Sequence, residues 1–134
     1  MFTLHTDLSK KLYIGELPFC TVLMEDACEF VWLFLVPRKE NVKNMLSLTH
    51  EERIALMTDI ESTETVLNRL FQPDQTNVAM IGNMTPQLHV HVICRNKNDA
   101  LWPNTVWGHQ FTPYDPNKKR EIIELLQKEL ICQK

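Results

Sequence analysis

A chain of 134 residues with 44% hydrophobic and 23% charged residues has the balance of one folded domain around a single core, which excludes a disordered chain and a second domain. The formal net charge of -3 leaves no global basic field to draw the protein to nucleic acid or to an acidic membrane, so any phosphate it binds has to be met locally. Cys20, Cys28, Cys94 and Cys132 form neither a C-x-x-C pair nor a zinc-ribbon spacing, and the N-terminus lacks a charged region followed by an apolar run, so reduced thiols in the cytoplasm are expected.

Residues 1–10 are polar and carry Asp7 or Ser9 as candidate caps of a short helical turn. A short strand over 11–16 ends at Gly15, and the run from Phe19 to Met24 reads as a second strand, stopped by Glu25-Asp26. Glu29 to Val36 reads as a more deeply buried strand closed by Pro37, so the short connection predicts an antiparallel hairpin. The apolar run from Phe30 to Pro37 is far too short to span a membrane.

Thr49 with Glu52 forms a capping box at the start of the clearest helix. Ile54, Met57, Ile60, Leu67, Leu70 and Phe71 approximate its apolar face, and Gln72-Pro73-Asp74 ends it. A strand over 77–81 and a turn over 82–86 then lead into a second antiparallel pair. Beyond the polar loop 96–99, two tryptophans within 100–108 without a regular period predict an extended flap that packs on something, and Asp115-Pro116 opens a closing helix expected to bury Ile122, Ile123, Leu125, Leu126 and Leu130.

The second member of that second pair carries the chemistry. In Gln87-Leu88-His89-Val90-His91-Val92-Ile93-Cys94-Arg95, polar and apolar residues alternate, so Gln87, His89 and His91 are expected on one face of a strand and Leu88, Val90 and Val92 on the other. A solvated sheet face can carry one histidine, but two in alternation favour a function, because a wet face is more cheaply built from Thr, Lys or Glu. Three mechanisms compete. Metal binding needs a third ligand at a telling spacing, general acid-base catalysis suits a group with a pKa of about 6.5, and nucleophilic attack on phosphorus needs a neutral ring nitrogen with its partner nitrogen held. In the turn before the strand, Asn83 and its neighbouring amides offer neutral donors to a ligand on the histidine face, or simply supply the turn.

Gln87 to Ile93 resembles the motif of the histidine-triad (HIT) family, with Gln in place of the first of three alternating histidines. The stretch from Gly82 to Gly108 resembles a bacterial branch of HIT hydrolases labelled diadenosine tetraphosphate hydrolases, and the likeness covers residues from about 10 to 110. The resemblance implies an α+β fold: an antiparallel sheet of about five strands, a long central helix and a C-terminal helix, in one domain over 1–134 with a closing helix over about 115–132. It implies that His89 is the nucleophile on the α-phosphorus of a nucleotide, that His91 contacts the phosphate and leaving group, and that Asn83 lies near the phosphate oxygens. It also implies that Asp26, or its neighbour Glu25, holds ribose hydroxyls, whereas turn chemistry alone accounts for both.

Further implications of the likeness are the absence of a cofactor or obligatory metal, a small-molecule nucleotide substrate, and a homodimer that engages neither nucleic acid nor membrane. The expected activity is hydrolysis or nucleotidyl transfer at a phosphoanhydride or phosphoramidate. The alternative is a nucleotide-binding module with little turnover, kept open by Gln87, which can hydrogen bond but cannot titrate. A histidine at position 87 is expected to be tolerated or to raise activity if the missing triad member only tunes hydrogen bonding. Trp32 stands where other members carry an additional histidine.

Overall fold

The computed structural model describes residues 1–132. Five strands form one antiparallel sheet: β1 (Leu12–Glu16), β2 (Cys20–Met24), β3 (Trp32–Pro37), β4 (Gln75–Ala79) and β5 (Val90–Arg95), in the order β1-β2-β3-β5-β4. Among the described residues three α-helices accompany them: α1 (Thr6–Ser9), α2 (His50–Phe71) and α3 (Pro116–Leu126), the last running into a wide turn over Gln127–Ile131. The architecture is the α+β arrangement expected, with both predicted antiparallel pairs, β2 with β3 and β4 with β5, in place.

Alternation sends β3 and β5 side chains to two different surroundings. Leu33, Leu35, Val90 and Val92 join Val22, Met24, Leu56, Ile60 and Leu67 in the core beneath α2. Trp32, Phe34, Val36 and Ile93 face the other way, into a second cluster closed by Leu8, Phe30 and Val106. Register pairs Phe34 with His91, and the histidine belongs to this second, aromatic side.

The capping box is complete: the Glu52 amide donates to Thr49 Oγ1 at 3.2 Å and the Thr49 amide to Glu52 Oε1 at 2.7 Å. Glu52 is therefore held below the ordinary carboxylate range, first by its contact with Lys39 and then by the Thr49 amide. At the other end Gln72 takes the left-handed conformation at φ 47 and stops α2. The inward face of α2 is rotated from the expected one. Leu56, Asp59, Ile60, Thr63, Val66 and Leu67 are buried, whereas Ile54 and Met57 are exposed. Asp59 explains the shift: its Oδ2 accepts from the Phe19 and Cys20 amides at 2.9 and 2.8 Å, so a carboxylate sits on the core side to satisfy the start of β2.

Smaller differences have similar causes. The N-terminal turn is capped by His5, whose Nδ1 accepts from the Asp7 amide, instead of by Asp7 or Ser9. The edge strand starts two residues earlier than expected, because its register runs from Gln75 opposite Arg95 to Ala79 opposite His91. The histidine strand proper begins at Val90, not Gln87: its pairing with β3 stops at Leu35 opposite Val90, and the Leu88 amide donates instead to Val42 O at 2.8 Å. Among the described residues no helix is long and apolar enough to cross a membrane.

Candidate active site

β5 and the residue just before it bring His91 and His89 to a cleft of about 350 Å³, whose walls include the turn Gly82-Asn83-Met84-Thr85 and the rings of Trp32 and Trp107. The turn needs its glycine, since Gly82 has φ 75, where a side chain is strained. His89 and His91 are 8% and 7% exposed, with ring centroids 5.0 Å apart, so both rings are held by packing and still reach one small ligand. Trp107 packs edge-on against His91 at 4.6 Å and Phe34 lies 4.9 Å from it on the other side.

His89 Nδ1 lies 2.7 Å from the Gln87 carbonyl oxygen. A carbonyl can only accept, so Nδ1 carries the hydrogen and Nε2 is left with its lone pair. That is the form of imidazole that can attack an electrophile, with the second nitrogen already held. His91 is differently set: Trp32 Nε1–H donates to its Nδ1 at 3.0 Å. Burial, then the neighbouring His89 charge and then Lys11 push the His91 imidazole down from 6.5 to about 3, so it is neutral at physiological pH.

The loop that delivers Trp107 is built on a buried ion pair. Arg95 Nε donates to Asp99 Oδ2 at 2.8 Å, and the Asp99 carboxylate also accepts from the Asn96, Leu101 and Trp102 amides. Arg95 and these amides hold the Asp99 carboxyl well below the usual carboxylate range. The predicted flap thus packs on the aromatic cluster, with Trp107 reaching the cleft.

Of the residues singled out in the sequence, the structure brings His89, His91 and Asn83 together at the cleft. Gln87 contributes its backbone carbonyl, whereas its side chain turns to the N-terminal segment: Oε1 accepts from the His5 amide at 2.7 Å and Nε2 donates to Thr3 O at 2.9 Å. The carboxamide acts there as a mock peptide group on an extended backbone. Its oxygen and nitrogen leave one carbon as a fork, which the diverging nitrogens of an imidazole do not reproduce. The expected tolerance of histidine at 87 loses its basis, because it assumed a side chain in the histidine row.

Asp26 lies away from the cleft, where Oδ1 accepts from the Tyr114 amide and Oδ2 pairs with Lys119, both at 2.8 Å. Glu25 forms a two-pronged pair with Lys11. Trp32 and Trp107 are the site residues that sequence reasoning had not assigned to the histidines. The signal for Trp32 was its position in β3, one alternation from the residue that pairs with His91.

A family model described as HIT domain matches residues 8–98. The chain belongs to the HIT domain family. Solved histidine triad structures agree over nearly the whole chain. A histidine triad protein from Bradyrhizobium japonicum is 34% identical with a TM-score of 0.92, covering 96% of this chain and 98% of that one. A second, from Marinobacter aquaeolei, is 34% identical at 0.93, covering 98% and 97%. A third, from Sinorhizobium meliloti, is 29% identical at 0.92, covering 97% and 98%. No curated protein matched. For a HIT domain, the activity class indicated is nucleotide binding with hydrolase or transferase chemistry. Among the described residues no three His, Cys, Asp or Glu side chains gather as metal ligands.

Proposed function

We propose that this HIT protein is a cytoplasmic hydrolase or nucleotidyl transferase that cleaves a phosphoanhydride or phosphoramidate of a purine nucleotide, with dinucleoside polyphosphates as the leading substrate class. The observation that carries the reading is His89, whose Nδ1–H is engaged by the Gln87 carbonyl while Nε2 keeps its lone pair at the cleft. In the first step Nε2 forms a bond to the α-phosphorus as the bond to the leaving group breaks, and the leaving group departs with that electron pair. The ring becomes cationic, and its Nδ1–H bond to the carbonyl strengthens as charge develops. Water then attacks phosphorus and gives up a proton to solvent, the P–N bond breaks, and the electron pair returns to Nε2 as a nucleoside monophosphate leaves. Asn83 and the turn amides face the phosphate oxygens, and His91 supports the phosphate and leaving group.

The active form in this proposal is a homodimer. β4 is an edge strand with an open hydrogen-bonding side, and Val78, Met80 and Ile81 beside it are 39%, 39% and 43% exposed, as are Ile54 and Met57 of α2 at 54% and 55%. An open edge strand and an exposed apolar helix face each favour a second copy.

Incubation with diadenosine tetraphosphate and with an adenosine phosphoramidate, followed by chromatography, tests the reading. Release of adenosine monophosphate from either is expected. Tight binding of both without product would replace the enzyme by a nucleotide-binding module.

A further inference from the structure

Each histidine of the pair has one ring nitrogen occupied by a different kind of partner. The carbonyl of Gln87 is an obligate acceptor for His89 Nδ1, and the indole of Trp32 is an obligate donor to His91 Nδ1. We infer that Trp32 is a positioning residue that fixes His91 in the form protonated on Nε2, so that a ligand in the cleft meets a hydrogen-bond donor from His91 beside the lone pair of His89. Two chemically identical side chains thereby take opposite roles, one as Lewis base and one as neutral donor.

The indole is well placed to hold that assignment. Trp32 is 5% exposed, stacks on Phe34 at 6.1 Å and 21°, and is met edge-on by Trp107 and Phe111, each at 5.7 Å and 77°. With rings on several sides, it cannot turn its N–H away without displacing its neighbours. An indole nitrogen also cannot take up or lose a proton near neutral pH, so this partner donates under all working conditions. A titrating partner in the same place could exchange donor for acceptor. The kinetic consequence rests on the nucleotide chemistry proposed above, whereas the protonated nitrogen itself does not.

The test is 15N NMR of the imidazole nitrogens in wild-type protein and in Trp32→Phe, joined to steady-state kinetics with diadenosine tetraphosphate. In wild type at neutral pH, His91 is expected to show a bare Nδ1 and a protonated Nε2, and His89 the reverse. In Trp32→Phe, His91 should move toward an averaged pair of signals while His89 keeps its own. In that variant kcat should fall by about 10- to 100-fold, the usual range when the partner orienting a functional histidine is removed, with KM changed by less than about threefold. A role in packing alone would leave the His91 nitrogen signals in place. If Trp32→Phe does not fold, the wild-type spectrum still decides: His91 protonated on Nδ1, or averaged between the two forms, overturns the inference. A protein that hydrolyses none of the nucleotides but shows the expected nitrogen pattern would refute the proposed reaction and leave the Trp32 assignment standing.

Discussion

The two faces of the central sheet are built from different materials. Toward α2 the contacts are almost entirely aliphatic: Val22, Leu33, Leu35, Val90 and Val92 against Leu56, Ile60 and Leu67. On the opposite side Trp32, Phe34, His89, His91, Trp107 and Phe111 form a chain of ring contacts. Aliphatic packing is non-directional, so it supplies rigidity and tolerates exchange between similar shapes. The ring face carries nitrogen atoms that must be oriented as well as buried, and each orientation is set by a named partner. Stability and chemistry are therefore separable by mutation.

The separation is sharpest for His89→Asn. Turnover should fall by on the order of three to four powers of ten while the melting temperature stays within a few degrees, since the proposed covalent step is removed and the aliphatic face is untouched. Parallel rate and melting measurements check both halves. Leu35→Ala is the mirror experiment: Leu35 is fully buried, so chemical denaturation should show a loss of about 2–5 kcal/mol with turnover per folded molecule unchanged.

Acid titration probes the ring face as a whole. His91 is neutral in the fold with its imidazole pushed down to about 3 from 6.5, so the unfolded chain binds the proton first as the pH drops. Its contribution to stability is fully present above about pH 6.5 and is lost as the pH falls toward 3, with a total on the order of a few kcal/mol. Asp99, held low by Arg95, adds a second loss only below the ordinary carboxylate range. Denaturation midpoints between pH 7 and 4 should therefore fall in wild type and flatten in His91→Phe. A parallel fall in both proteins would remove His91 as the cause.

The smallest effect is expected at the entrance to β5. Gln87→Ala removes two neutral hydrogen bonds to the N-terminal segment, about 1–2 kcal/mol in total, and should increase hydrogen exchange at the His5 amide. Gln87→His should act in the same direction, since a ring cannot form the fork. An activity gain in Gln87→His would count against this role of the Gln87 side chain.

Much of the fold was legible locally. Apolar runs closed by Glu25-Asp26 and Pro37 marked β2 and β3, period-two patterning marked β5, the Thr49-Glu52 box marked the start of α2, and the alternation put His89 and His91 on one side. What was not legible depends on distant partners. The phase of α2 was hidden by Asp59, a polar residue buried because backbone amides 40 and 39 residues away need it. Asp26 reads locally as a free turn carboxylate, whereas the Tyr114 amide that it accepts from lies 88 residues on. The partners of Gln87 lie 84 and 82 residues away and that of His91 lies 59 residues away, distances over which no residue pattern specifies a hydrogen bond.

The central claim is that His89 is the nucleophile, and the adduct it forms is its most direct signature. Wild-type protein mixed with diadenosine tetraphosphate labelled at the α-phosphorus, quenched within a turnover and mapped by peptide, should carry an acid-labile nucleotidyl group on His89 and nowhere else. A label on another residue of an active protein, or activity that a chelator abolishes and zinc restores, would contradict the account.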